Sequence, residues 1–100
     1  MTYEEFKQSA PVVMAEFYAT WCPHCRKMQP IIEQVAELVN GKAVVKQFDV
    51  DEYQELCEEE RITGTPTFIL YSDGREVWRH SGEIEGRALL SEIERYLNRR

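Results

Sequence analysis

The chain has 100 residues, of which 43% are hydrophobic and 30% are charged. These proportions are typical of a globular protein, and the length is enough for one domain, residues 1–100, but not for two. Twelve basic against eighteen acidic side chains give a formal net charge of −6. Apart from the short Arg99-Arg100 tail no basic cluster interrupts this acidic balance, so a nucleic-acid partner is not expected.

The sequence also argues against a membrane partner. No window approaches the roughly 18 uninterrupted apolar residues that a membrane span needs. Residues 1–10 lack the basic start and apolar core of a secretion signal, although a processed chain expressed with a new Met1 would look the same.

The cysteine count bears on the cellular location. Three cysteines are too few for a disulfide-stapled secreted scaffold. A cytoplasmic location is therefore expected.

Apolar periodicity and turn residues predict an alternation of helices and strands. In chain order these are a helix at 3–9, a strand at 12–19, a helix from 23 to about 39, a strand at 43–50, a helix at 52–60, strands at 67–71 and 76–81, and a helix ending near 97. The order strand, helix, strand requires that the first two strands are parallel and joined by a right-handed crossover. The last two strands are predicted to form an antiparallel hairpin in the same sheet. The predicted fold class is α/β.

Two cysteines separated by two residues fall where the first strand turns into the second helix, within Trp21-Cys22-Pro23-His24-Cys25. Pro23 suits the first helical position because its ring presets a helical φ and its missing N–H had no partner there. Cys22 then becomes the N-cap, and its sulfur faces the free N–H groups of the helix N-terminus. That environment favours thiolate over thiol. Cys25 lies one turn further on, within disulfide reach and more covered by the helix.

At this point the chain resembles the thioredoxin family over nearly its whole length. The resemblance rests on four separated features: residues 16–22 leading into the cysteine pair, residues 25–30 following it, Thr65-Pro66-Thr67, and Gly82 after the last strand. It implies a thioredoxin fold, with a central mixed four-stranded sheet flanked by helices. The strand with which thioredoxins usually begin is missing, so residues 43–48 should form a sheet edge.

The resemblance also implies a chemistry, namely thiol-disulfide exchange with client proteins and no bound cofactor. Cys22 would attack a client disulfide and Cys25 would resolve the mixed disulfide. Pro66 would be cis and face the cysteines, so that the backbone of Thr65 pairs with an extended client. Trp21, Pro23 and Gly82 would complete the client-binding surface. A reductase of the thioredoxin reductase type would recycle the domain.

One departure from the family concerns His24, because Pro23-His24 replaces the Gly-Pro that thioredoxins usually carry. Pro-His is the dipeptide of the bacterial oxidase DsbA. An imidazole beside the sulfur could donate a hydrogen bond or a positive charge and lower the pKa of Cys22 further. We therefore expect a more oxidising couple than that of a typical thioredoxin. The chain has no segment for the helical insertion of DsbA, so a reductase is favoured and a DsbA-like oxidase is the alternative.

Glu16 matches the family's buried acid, which is thought to take the proton of the resolving cysteine. Desolvation in so apolar a strand should raise the pKa of this carboxyl, which suits a general base. The alternative is a half-exposed Glu at the strand end. The family's Lys partner for this acid aligns with Gln47, whereas Lys46 points to the other face.

Three further alternatives remain open. The chain could be a redox-inert binding module on the same fold, since a fold alone does not establish an activity. Zinc could bind to Cys22, Cys25, His24 and either Cys57 or His80, although no metal site is expected because a second paired cluster is missing. Cys57 is more simply a buried small hydrophobic residue. Finally, a free sheet edge at 43–48 could support a dimer, although a monomer is favoured.

Overall fold

The computed structural model describes residues 1–99, so Arg100, the last residue of the predicted domain, lies outside the described residues. In chain order the elements are α1 (Tyr3–Lys7), β1 (Val12–Tyr18), α2 (Pro23–Leu38), β2 (Val44–Asp49), α3 (Gln54–Glu59), β3 (Thr67–Ser72), β4 (Arg75–Ser81) and α4 (Gly86–Leu97). The predicted alternation of helices and strands is confirmed, with ends that differ by a few residues.

The four strands form one mixed sheet in the order β2-β1-β3-β4. β1 pairs in parallel with β2 and antiparallel with β3, and β4 is antiparallel to β3. The connection between these two parallel strands runs through α2. β2 is an edge strand, as predicted for residues 43–48, and within residues 1–99 no further strand pairs beside it.

β1 organises the core because its side chains alternate between two buried faces of the sheet. Val12 and Met14 belong to a cluster that α2 and α4 cover, whereas Val13, Ala15 and Phe17 belong to a cluster beside α1 and α3. All seven residues of β1 except Tyr18 are buried. Helices therefore cover both faces, which explains why the strand is almost uniformly apolar.

The helix starts follow local sequence signals, with one exception. Thr2 and Glu5 form a capping box at the start of α1. α3 was predicted to start at residue 52, but it starts at Gln54 with Tyr53 at the N-cap. The Asp51 carboxylate instead accepts a hydrogen bond from the indole N–H of Trp21, at 3.0 Å. Among residues 1–99, no helix has both the length and the apolar character that crossing a membrane would require.

Candidate active site

The two cysteines lie at the carboxyl end of β1, where the chain enters α2. Cys22 is the N-cap of α2 and Pro23 is its first residue, as the sequence predicts. Both thiols are free, and each cysteine is only 4% exposed. The two cysteines pack together with Ala19 in one small buried cluster.

The surroundings of Cys22 favour its thiolate. When protonated, its thiol donates to the carbonyl oxygen of Thr65, with 3.6 Å between sulfur and oxygen, a contact that by itself favours the thiol and that other groups outweigh. The pKa of Cys22 is lowered to about 7, chiefly by a hydrogen bond with the Thr65 side chain and further by the Cys25 thiol and the backbone N–H groups of Cys25 and His24. Burial opposes this effect but does not outweigh it. Cys22 is therefore ionised to a greater extent at neutral pH than an ordinary cysteine.

Cys25 differs from its neighbour because it is one turn deeper in α2. Burial raises the pKa of the Cys25 thiol, and its hydrogen bond with Cys22 raises it further. Of two adjacent thiols, one is thus prepared to act as a nucleophile while the other keeps its proton. This difference follows from position in the helix, since only the N-cap sulfur faces several free N–H groups.

The segment that faces Cys22 comes from the start of β3. The Thr65–Pro66 peptide bond is cis, as the resemblance implied. Pro66 is buried and Thr65 is partly exposed beside the cysteine. Gly82, just after β4, donates its backbone N–H to the carbonyl oxygen of Pro66 at 2.7 Å. Gly82 has a φ of +98°, a conformation that side chains disfavour, so glycine suits this position.

Exposed side chains surround this cleft. Trp21 is 64% exposed, and the hydrogen bond from its indole to Asp51 fixes the orientation of the ring. Pro23 is exposed as well. Trp21 and Pro23 flank Cys22 in the sequence, Thr65 contacts it, and Gly82 contacts Pro66, while their role in binding a client stays a prediction.

The imidazole of His24 has a partner that the sequence analysis did not foresee. Its Nδ1 pairs with the Oε2 atom of Glu83 at a distance of 2.5 Å. The backbone N–H of His24 helps to lower the pKa of Cys22, and the influence of the ring on the sulfur stays a prediction. The pairing arises because Glu83, one residue after Gly82, places a carboxylate close to the start of α2.

Glu16 is only 1% exposed, which excludes the alternative of a half-exposed residue at a strand end. Burial raises the pKa of this carboxyl, and a hydrogen bond from Gln47 partly offsets the effect. Gln47 pairs with Glu16 in the parallel register and donates to its Oε1 atom at 2.7 Å. The side chain of Gln47 therefore occupies the place expected for the family's Lys. Lys46 instead lies over the Phe48 ring on the other face.

Three residues of the site were not identified from the sequence. Gln29 accepts a hydrogen bond from Gln47 at 2.8 Å and so orients its amide, Asp51 holds Trp21, and Glu83 holds His24. A polar residue on the buried side of α2 was the available signal for Gln29. For Asp51 and Glu83 no local pattern indicated the partner.

The structure also shows where Cys57 and His80 lie, the two other residues considered as zinc ligands. Cys57 is partly buried beside the aromatic cluster of α1 and β1, and burial raises the pKa of its thiol. Within residues 1–99, no group of three or more Cys, His, Asp or Glu side chains is arranged to hold a metal ion. His80 stacks on Trp78 and its Nε2 lies 3.2 Å from the backbone oxygen of Glu83.

Together, the mixed sheet and the paired cysteines opposite a cis-proline define a domain of the dithiol-disulfide exchange class. A comparison with family models agrees, since the Thioredoxin model matches residues 2–95. The chain belongs to the thioredoxin family, whose members are redox proteins with a CXXC site.

Individual relatives support the same assignment. A chloroplastic thioredoxin Y from Oryza sativa is 33% identical over 91 residues, which are 91% of this chain but 54% of the relative. Thioredoxin-1 from Drosophila melanogaster is 34% identical over 74 residues, or 74% of this chain and 69% of the relative. A solved mutant thioredoxin from Halobacterium salinarum superposes with a TM-score of 0.86 and 36% identity, covering 94% of this chain and 81% of that one. The chain spans about half the length of the plant relative.

Proposed function

We propose that this protein is a disulfide reductase that acts on client proteins. The observation that carries the proposal is the difference between the two thiols, one with a pKa lowered to about 7 and the other with a raised pKa. A disulfide reductase needs a nucleophile that is ionised at neutral pH and a second thiol that reacts only later.

The reaction starts when the Cys22 thiolate attacks one sulfur of a client disulfide. The client S–S bond breaks, a mixed disulfide forms, and the other client sulfur leaves as a thiolate and takes up a proton. Glu16 then accepts the proton of Cys25, whose thiolate attacks the Cys22 sulfur. The mixed disulfide breaks and the second client sulfur leaves. The client has gained two electrons, and the domain is left with a Cys22–Cys25 disulfide.

The surface around Cys22 supports a polypeptide client. The backbone of Thr65 borders the nucleophile and is partly exposed, so that an extended segment can pair with it. Trp21 adds a rigid exposed aromatic surface of the kind that contributes strongly to protein contacts. Pro23 and Gly82 border the same cleft.

The contact of the His24 ring supports reduction of the client as the direction of exchange. A DsbA-like oxidase would be favoured by an imidazole that stabilises the Cys22 thiolate, whereas here the ring is paired with Glu83. This pairing supports the reductase. We further propose that the domain works as a cytoplasmic monomer and that a reductase of the thioredoxin reductase type supplies its two electrons.

Reduction of insulin by dithiothreitol tests the proposal. Wild-type protein should accelerate the reaction, Cys22→Ser should abolish the acceleration, and Cys57→Ser should leave it within about twofold of wild type. A wild-type protein that gives no acceleration would favour the redox-inert binding module. Equilibration of the couple against glutathione then separates reductase from oxidase, because a reductase has the more negative potential.

A further inference from the structure

His24 and Glu83 form a pair that joins the two sides of the active-site cleft. Nδ1 of His24 lies 2.5 Å from Oε2 of Glu83, across 59 positions of sequence. His24 belongs to the first turn of α2, and Glu83 follows Gly82 in the loop that holds Pro66. The two side chains are 64% and 40% exposed, so this pair is accessible to solvent.

The position of His24 makes the direction of its ring important for the couple. His24 is two residues from Cys22 in the first turn of α2, and its backbone N–H helps to lower the pKa of Cys22, so the imidazole is attached near the reacting atom. A ring turned toward the sulfur would stabilise the thiolate, and hence the reduced state, by its charge or its N–H. While Nδ1 is paired with Glu83, that nitrogen is not available to the sulfur, and the carboxylate balances the charge of the ring.

We propose that Glu83 is a positioning residue that holds the His24 imidazole at the Gly82 loop and thereby keeps the Cys22–Cys25 couple more reducing than its Pro-His dipeptide would otherwise make it. The inference rests on the proposed exchange activity and names the residue that sets its direction. It also explains how a dipeptide typical of an oxidase can occur in a chain that otherwise resembles thioredoxins.

The neighbouring charges suggest a specific set of variants. The charge of Lys27, in the first turns of α2, also helps to lower the pKa of the Glu83 carboxyl, to which the hydrogen bond with His24 contributes most. Glu85 is an exposed carboxylate two residues further along the same loop and makes no side-chain capping bond to α4. Glu85→Gln therefore removes the same charge as Glu83→Gln without removing the partner of His24, and it serves as the matched control.

The test is the redox equilibrium of the whole chain with reduced and oxidised glutathione at pH 7, followed by acid quenching and thiol alkylation. Glu83→Gln should shift the equilibrium constant toward the dithiol by about two- to fivefold, because exposed charge pairs have modest energies. At 29.6 mV per tenfold change this is about 9 to 21 mV. The shift should disappear in the His24→Gln background, and Glu85→Gln should leave the constant within about 1.3-fold of wild type.

A second readout follows Cys22 directly, by the thiolate absorbance of the Cys25→Ser protein as pH is raised. Adding Glu83→Gln should move the Cys22 midpoint to lower pH. The inference is overturned if Glu83→Gln matches wild type in both readouts, or if it shifts them equally in the His24→Gln background. Neither readout requires a protein client, so a domain that fails to reduce insulin but shows these shifts would overturn the proposed function and leave the role of Glu83 intact.

Discussion

At the scale of single residues, the chemistry of this domain comes from the unequal positions of two thiols in one helix. Cys22 faces free N–H groups and Thr65, whereas Cys25 is covered by the helix. Hydrogen bonds to the thiolate outweigh desolvation at the first position, and desolvation dominates at the second. The reactive sulfur is therefore fixed by the fold and not by the dipeptide between the cysteines alone.

The first prediction concerns the pH dependence of Cys22. Because only the thiolate is alkylated and the pKa is about 7, the rate of reaction with iodoacetamide should rise with pH to a plateau, with its midpoint near pH 7. Peptide mass mapping of the fully reduced protein would assign the rate to Cys22. A midpoint near pH 9, the ordinary value for a cysteine thiol, would contradict the hydrogen-bond arrangement.

The second prediction concerns the buried carboxyl of Glu16. Its pKa is raised in the folded state by burial, so the folded protein holds this proton more tightly than the unfolded chain. The stability contribution is complete below the ordinary value of 4.5 and is lost as pH rises through the folded pKa. Glu16→Gln, which can still accept from Gln47, should remove this loss.

Urea unfolding at pH 5 and pH 8.5 measures the effect. The free energy of unfolding of Glu16→Gln relative to wild type should be higher at pH 8.5 than at pH 5, while resolution of a mixed disulfide by Cys25 becomes slower. Gln47→Leu keeps the acid and removes its donor, and it should increase the pH dependence. Equal behaviour of wild type and Glu16→Gln at both pH values would argue against a buried, titrating carboxyl.

What could be predicted at the residue scale depended on whether the signal was local. Cys22, Pro23 and the burial of Glu16 follow from a strand-to-helix turn and an apolar run. The partners of Trp21 and His24 do not follow from local sequence, because they are 30 and 59 positions away and become neighbours only in the folded protein. The pairing of the His24 ring with Glu83 could therefore not be foreseen, and the effect of the ring on the sulfur stays a prediction.

At the scale of elements, the cleft depends on the connection from β4 to α4. Gly82 supports Pro66 through a backbone hydrogen bond and does so with a positive φ. The alternation of strands and helices was predictable from periodicity, and so was the free edge of β2. The start of α3 was not predictable, because the Asp51 carboxylate accepts a hydrogen bond from Trp21 and does not cap the helix.

The third prediction compares two glycines in the same backbone region. Gly82→Ala should destabilise the protein by about 1 to 2 kcal/mol, the cost of a left-handed conformation for a residue with a side chain. Gly41→Ala should cost a similar amount, because its φ is +84° and an added Cβ would meet no atom within 4 Å. Thermal or urea unfolding gives both values.

Only the first of these substitutions is expected to affect exchange. Gly82→Ala should slow insulin reduction severalfold, because the loop that holds Pro66 is displaced, whereas Gly41→Ala should retain the wild-type rate. Loss of activity in both variants would indicate a general effect of stability. Unchanged activity in Gly82→Ala would separate the loop from client binding.

At the scale of the whole molecule, the exposed edge of β2 raises the question of self-association. Val44 and Lys46 are exposed along this strand, and a charged side chain on an edge discourages pairing. We expect a monomer. Light scattering at high protein concentration should give the mass of one chain, 11.8 kDa, and a concentration-dependent mass of twice that value would indicate pairing through the edge.

The most direct measurement is to trap the exchange intermediate. Cys25→Ser removes the resolving thiol, so a disulfide-bearing peptide client should accumulate as a one-to-one mixed disulfide, and peptide mass mapping should locate it at Cys22. Cys22→Ser, treated identically, should trap little or none. An adduct at Cys57, or no adduct in Cys25→Ser despite a folded protein, would contradict the assignment of Cys22 as the attacking sulfur.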